Sequence, residues 1–214
     1  ATGRAPVAVQ VGKNRHDVIR RASSSGGVYS LLAESVLAEG GAVCGAVYDR
    51  EMTVKHAWAH SVSDLARFRG SKYVLSDIGL CFRAARERLE KGQQVLFSGT
   101  PCQVGGIRSY LGGDYANLVT VDLVCHGVPS PEVFRGYCEY LGDTKNTKVT
   151  KVDFRDKSNG WNRSSVRVDF ADGTHSRTPW MLEPYMRGFL TNVYLMPACY
   201  DCRFKRLSSG SDIT

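Results

Sequence analysis

Four of the seven cysteines fall in turns where a thiol is available for chemistry. Cys102 follows the apolar run 95–98 in the sequence VLFSGTPCQ, in which Thr100 and Gln103 form a Thr-x-x-Gln capping box around Pro101. This pattern predicts a helix that carries Cys102 in its first turn. The free amide groups and the positive end of the helix dipole favour a thiolate there, which is the form that binds a metal or attacks an electrophile.

Cys125 repeats this arrangement. It follows a second apolar run, 118–124, and Ser130 with Pro131 then predicts another helix, which runs to about Leu141. If the two runs are parallel neighbouring strands joined by the intervening right-handed helix, Cys102 and Cys125 meet at one edge of the sheet. Open α/β sheets bind their ligands at that edge.

Cys199 and Cys202 form a C-x-x-C pair, a spacing that lets two thiolates bind one metal centre. The basic residues that follow offset the charge of the pair; they are Arg203, Lys205 and Arg206. The remaining cysteines lie within apolar elements and are more typical of small buried hydrophobes. They are Cys44, Cys81 and Cys138.

Four thiols gathered from distant turns favour an iron–sulfur cluster, because structural zinc sites more often use two C-x-x-C pairs close in sequence. Three alternatives stay open. The first is a non-redox module in which the cysteines bind zinc and another turn holds a phosphate or nucleotide. The others are a redox dithiol at Cys199 and Cys202 and a thiol enzyme using Cys125 with His126, although adjacent residues on an extended segment point in opposite directions.

A Ser/Gly-rich turn, SSSGG at 23–27, precedes a helical apolar pattern that Gly40 and Gly41 end. Open amides and hydroxyls at a helix start suit a pyrophosphate, and an ordinary flexible N-cap has the same composition. Lys72 beside Tyr73 offers a cation and a ring to an anionic aromatic cofactor. The polar loop 155–161 is either an exposed loop with Trp161 packed beneath it or a lid over a cofactor.

Composition limits the class of protein. A chain of 214 residues that is 43% hydrophobic is long enough for one substantial core. The net charge of +7 suits anionic cofactors or acidic redox partners, and we do not predict nucleic-acid binding because basic and acidic residues alternate, as in 83–91. No membrane span or secretory signal is predicted, so we expect a cytoplasmic protein whose cysteines serve metal binding or catalysis.

The element pattern predicts an α/β fold in which a mixed sheet with flanking helices carries an antiparallel hairpin extension. The hairpin is predicted from residues 152–155 and 166–170, which lead to an Asp-Gly turn at 172–173. Residues 1–22 predict an extended lead-in. Residues 23–214 then form one domain, whose C-terminal end we expect to be truncated.

Several segments, in this order, resemble the beta subunit of coenzyme F420 hydrogenase/dehydrogenase, a family shared with F420-dependent formate dehydrogenase and related flavoproteins. The segments are SSSGGV at 23–28, RGSKYV at 69–74, FSGTPCQ at 97–103, VDLVCHGVPSP at 121–131, FRDK at 154–157 with Gly160 and Trp161, and C-x-x-C at 199–202.

The resemblance implies an FAD-binding domain with a 4Fe–4S cluster, which moves electrons between a ferredoxin-type protein or partner redox subunit and a hydride carrier such as coenzyme F420. It also implies that the chain functions within an oligomer or complex. We assign no residue as a catalytic acid or base. The implied cluster ligands are Cys102, Cys125, Cys199 and Cys202. The candidate flavin contacts are Ser24, Ser25, Gly26, Gly27, Ser71, Lys72, Tyr73, Thr100 and Pro101. Relatives often carry an N-terminal ferredoxin-like segment that is absent from this sequence, so we expect a partner or a missing part of the protein to supply electrons.

Overall fold

The computed structural model describes residues 7–205 and 210–214. Part of the expected lead-in and one basic residue of the C-x-x-C segment, Arg206, therefore lie outside the described residues. Two sheets organise the fold. The expected α/β architecture of a mixed sheet with flanking helices and an antiparallel extension is confirmed, and the extension is a separate sheet.

The larger sheet has four strands in the order β2-β1-β3-β4. The strands β1, β3 and β4 are parallel, and β2 pairs antiparallel with β1 at the outer edge. Their bounds are β1 Ala42–Tyr48, β2 Val54–Ala59, β3 Val95–Ser98 and β4 Leu118–Val121. Beyond β4, Ile213 forms a parallel bridge with Val121, so the last described segment extends this edge.

Helices cover both faces of the larger sheet. Successive side chains of β3 are fully buried because Leu96 faces one layer while Val95 and Phe97 face the other. One layer is built by α2 and a 3₁₀ helix, η1, and the other by α3 and α4. The bounds are α1 Asp17–Ala22, α2 Val28–Ala38, η1 Val62–Phe68, α3 Cys81–Glu90 and α4 Pro101–Leu111.

The smaller sheet is antiparallel, in the order β5-β6-β7. Its core contains Phe154 and Val168 from the strands, Phe134 from α5 and Phe189 from α6. The bounds are α5 Pro131–Lys145, β5 Val149–Asp156, β6 Ser165–Phe170, β7 His175–Pro179, α6 Pro184–Leu190 and α7 Pro197–Tyr200. None of the helices among the described residues is both long and apolar enough to cross a membrane.

The structure differs from the expectations at four places. The lead-in contains the helix α1, and β4 ends at Val121 because its neighbour β3 ends at Ser98. The helix α5 runs on to Lys145, and the predicted hairpin gains a third strand, β7. The lead-in also contacts the Ser/Gly turn, since Asn14 is fully buried and its backbone N–H donates to the Gly26 carbonyl at 2.7 Å.

Candidate functional site

Cys102 lies in the first turn of α4, as its sequence predicts. The backbone N–H of Thr100 donates to Gln103 Oε1 at 3.0 Å, and the reciprocal bond to the Thr100 side chain completes the capping box. The Thr100 hydroxyl lies 3.1 Å from the Cys102 thiol, which is exposed. The cap therefore fixes the thiol at a helix start, where amides and the helix dipole favour negative charge.

Cys125 lies just beyond β4, and the parallel pairing of β3 with β4 brings it to the same edge of the sheet as Cys102. The two thiols line one pocket. This juxtaposition follows the predicted strand–helix–strand connection. Gly127, at φ 149°, turns the chain away from the sheet beside Cys125.

The C-x-x-C segment reaches this pocket from the far end of the described chain. Leu195 forms an antiparallel bridge with Pro129, and the Met196 N–H donates to the Val128 carbonyl at 2.8 Å. Leu195 also packs against Gly127. A Cβ atom added at residue 127 would lie 2.7 Å from Leu195 Cδ1. These contacts place Cys199, on α7, and Cys202, just beyond α7, opposite the end of β4.

A second contact holds the same segment against α4. The Phe204 ring packs on Gly105 so closely that a Cβ atom at residue 105 would lie 2.8 Å from Phe204 Cζ. Phe204 follows the C-x-x-C pair and lines the same pocket. Gly105, Phe204 and Leu195 were not predicted from the sequence; the Gly-Gly pair one turn beyond Cys102 was the available signal.

All four thiols line one pocket, defined here as the cysteine pocket, together with His126 and Lys205. Burial, and to a lesser extent the negative charge of the other three thiols, raises the pKa of the Cys125 thiol to about 11. The four cysteines form no disulfide. Among the described residues, no group of three or more His, Cys, Asp or Glu side chains closes on a point suited to a metal ion.

The donor set of this pocket fits an iron–sulfur cluster. Each thiolate of a cubane binds a different iron, so four thiols that line one pocket suit such a group. Lys205 and the Gly127 amide, which hydrogen-bonds Cys125, supply the positive charge and donors that an anionic cluster requires.

The other cysteines lie away from this pocket. Cys44 on β1 and Cys81 on α3 are buried in the core between the larger sheet and its helices, and Cys138 is half-buried on α5. The Cys81 thiol contacts the His56 carbonyl at 3.6 Å.

The Ser/Gly turn lies at the same carboxyl edge of the larger sheet. Tyr29, in the first turn of α2, places its hydroxyl 3.4 Å from Ser98 Oγ at the end of β3. Gly27 has φ 76°, and a Cβ atom on Gly26 would lie 2.8 Å from the Gly12 carbonyl oxygen. Both glycines are therefore required by the close passage of the lead-in. No backbone amide of residues 24–28 donates to another described residue, so this turn offers free donors.

The second candidate segment, 71–73, contacts this turn directly. Ser71 Oγ donates to Ser24 Oγ at 2.7 Å, while Ser25 is exposed. The Lys72 ammonium instead caps η1, donating at 3.1–3.2 Å to the carbonyls of residues 67–70, and burial lowers its pKa to about 8. Tyr73 packs edge-on against Phe189 at 5.0 Å. Of these three side chains, the Ser71 hydroxyl is the one the structure presents to the turn.

Thr100 and Pro101, also candidate flavin contacts, line the cysteine pocket. A chain of rings joins this pocket to the 71–73 segment. His126 lies 4.9 Å from Phe189, which in turn contacts Tyr73. The two candidate sites are thus adjacent regions of one sheet edge, connected through packed aromatic side chains.

Comparison with known proteins agrees with the fold. A chain of the F420-reducing [NiFe] hydrogenase complex from Methanosarcina barkeri has the same fold, with a TM-score of 0.60 and 21% sequence identity over 94% of this chain and 68% of that chain. No curated protein sequence matches the chain. The sequence profile for the C terminus of the coenzyme F420 hydrogenase/dehydrogenase beta subunit matches residues 92–214. This range holds all four pocket cysteines, and the chain belongs to that family of oxidoreductase subunits.

Proposed function

We propose that the chain is an iron–sulfur flavoprotein subunit that moves electrons between a redox partner and a hydride carrier of the coenzyme F420 type. The observation that carries this proposal is the meeting of four cysteines from three distant segments in one pocket. That pocket lies at the sheet edge where α/β folds bind ligands.

In this proposal Cys102, Cys125, Cys199 and Cys202 hold a 4Fe–4S cluster, and the Ser/Gly turn holds the pyrophosphate of FAD. When bound, the two groups supply single-electron transfer and interconversion of single electrons with hydride. The chain's own residues bind, orient and shield these groups. Gly26 and Gly27 let the lead-in pass close beneath the turn, and the Ser24–Ser71 hydroxyl pair fixes the neighbouring segment.

The pocket residues favour the charged form of such a centre. The N-terminal amides of α4 lie beside Cys102, the Gly127 amide donates to Cys125, and Lys205 lines the pocket. Hydrogen bonds and positive charge near the sulfurs raise the reduction potential of a cluster because they stabilise the added electron.

We further propose that the electron partner is a ferredoxin-type protein or a redox subunit of a larger complex. The structurally similar chain comes from a hydrogenase complex, which supports an assembly. A net charge of +7 favours an acidic partner surface.

The test is anaerobic purification with visible spectra and iron, sulfide, zinc and flavin analysis of one sample. The proposal requires flavin bands with a broad cluster absorption that dithionite bleaches, and about four irons per chain. A colourless protein that holds about one zinc, and that takes up neither iron and sulfide nor FAD, would instead support a non-redox zinc module.

A further inference from the structure

The loop between β5 and β6 folds onto the Ser/Gly turn. Lys157, at the start of this loop, donates from its ammonium to the Ser23 carbonyl. The same ammonium lies 3.7 Å above the centre of the Trp161 ring. Lys157 therefore ties the smaller sheet and the indole to the turn that precedes α2.

The charge at this contact is not balanced within the loop. Lys157 forms no ion pair with a carboxylate of the described residues, whereas the neighbouring Asp156 is paired with Arg177 and bonded by the Ser158 hydroxyl at 2.6 Å. A half-buried ammonium held by one carbonyl and a ring face retains the capacity to bind an anion. On the same turn, the Ser24 hydroxyl accepts from the Ser71 hydroxyl and keeps its own proton to donate.

The indole has an open face. Trp161 is 48% exposed, and Lys157 occupies one side of its ring. A large apolar ring that is fixed by a cation on one face and open to solvent on the other is a stacking platform for a planar heterocycle. Of the two interpretations of loop 155–161, the one with Trp161 packed beneath the loop does not fit the exposure of this side chain.

We propose that Lys157 and Trp161 form a binding arm for the nucleotide cofactor, with the Lys157 ammonium on a phosphate and the Trp161 ring stacked on a planar ring of the ligand. This inference rests on the proposed function and adds two contact residues to it. The shared chemistry is a phosphate next to a heteroaromatic ring, which either the flavin half or the adenine half of FAD provides.

The experiment measures the dissociation constants of FAD, FMN and ADP for the flavin-free full chain. The variants are Trp161→Ala, Trp161→Phe and Lys157→Met, with Tyr140→Ala as the control because it removes another exposed ring, on α5. Thermal unfolding of each variant verifies that the fold is kept. The Phe variant keeps a stacking ring, so it provides a conservative substitution that retains the loop.

We expect Trp161→Ala to weaken FAD binding about tenfold, with Trp161→Phe close to wild type, because one stacked base contributes roughly 1–3 kcal/mol. Lys157→Met weakens the binding of all three ligands by about fivefold to tenfold, because one charge-assisted hydrogen bond to phosphate is lost. If Trp161→Ala weakens the binding of FMN but not of ADP, the ring stacked on Trp161 is the isoalloxazine. If it weakens the binding of ADP but not of FMN, the stacked ring is the adenine.

Two results would overturn the inference. The first concerns the binding arm alone, and the second concerns the flavin site as well. If the wild-type chain binds FAD while Trp161→Ala and Lys157→Met bind it as tightly as Tyr140→Ala does, the arm is wrong and the flavin proposal stands. If the wild-type chain binds none of the three ligands, the flavin site and the arm both fall.

Discussion

Replacing Gly105 with Ala should open the cysteine pocket. The new Cβ atom would lie 2.8 Å and 3.2 Å from two Phe204 ring atoms, against 3.4–4 Å for ordinary contact. Overpacking of this kind typically costs about 1–3 kcal/mol. The strain is relieved if Phe204 lifts from α4, and Phe204 lies only two residues beyond Cys202. Ala also favours the helix by about 0.8–1 kcal/mol, so global stability changes little while the docked segment is displaced.

The assay for this prediction is thiol cross-linking in the apo protein, with a bifunctional reagent and peptide mapping of the linked pairs. A strain of 1–3 kcal/mol shifts the docking equilibrium by roughly 5–150-fold, so links between Cys102 and the C-x-x-C pair should fall sharply. The matched control is Gly136→Ala on α5, where a Cβ atom meets nothing within 4 Å. Rescue should come from Gly105→Ala combined with Phe204→Leu, which removes the ring.

Equal cross-linking in the wild type and in Gly105→Ala would refute this reasoning. Failure of the double variant to recover wild-type cross-linking would also refute it, because the contact of the Phe204 ring with residue 105 would then not be what positions the C-x-x-C segment. Because the apo protein is used, neither result depends on whether a cluster is bound.

Three further predictions concern charged side chains. Lys72→Ala should lower the free energy of unfolding by about 1.5–3 kcal/mol in urea titrations, because its ammonium caps the last carbonyls of η1; a loss below about 0.5 kcal/mol would contradict that role. Burial raises the pKa of Glu183 above 4.5, so the native state holds this proton longer than the unfolded state and stability falls as pH rises from about 4.5. Glu183→Gln should remove that pH-dependent loss, so the free energy of unfolding of the variant relative to that of the wild type should increase with pH. A difference between the two proteins that does not change with pH would contradict this role of Glu183. Lys205→Gln should lower the cluster midpoint potential by roughly 20–40 mV, the equivalent of about 0.5–1 kcal/mol for an exposed charge, and an unchanged or raised potential would exclude a direct field effect.

Part of this fold was predictable from local sequence patterns. The capping box at Thr100, the apolar run of β3 and the repeat of this arrangement at Cys125 predicted a parallel pair with both thiols at one edge. That prediction succeeds because capping chemistry and the right-handed crossover are local rules.

The missed elements share a physical cause, which is that tertiary packing overrides their local pattern. In β2, His56 occupies an inward position, where it stacks on Phe97 at 5.2 Å and bonds the Ser98 carbonyl, so a polar residue breaks the alternation that marks a strand. Asn14 is buried in a segment with no apolar periodicity, where it holds the Ser/Gly turn.

The placement of individual side chains was likewise not readable from sequence. Lys72 is a candidate cofactor contact, and its sequence context did not indicate that its ammonium donates to four carbonyls. The contacts of Phe204 with Gly105 and of Leu195 with Gly127 join segments far apart in the chain. Such contacts depend on the relative position of whole elements, which no local pattern fixes.

The central claim is that four cysteines from distant segments bind one 4Fe–4S cluster. The most direct test is anaerobic iron and sulfide analysis with EPR of the dithionite-reduced protein, for the wild type and single Cys→Ser variants at 102, 125, 199 and 202. Cys138→Ser is the control, since Cys138 lies on α5 outside the pocket. The account predicts about four irons and a reduced-cluster signal in the wild type and the control, and loss of both in each pocket variant. A wild-type chain that holds a single zinc, or a Cys199→Ser variant with full iron content, would contradict it.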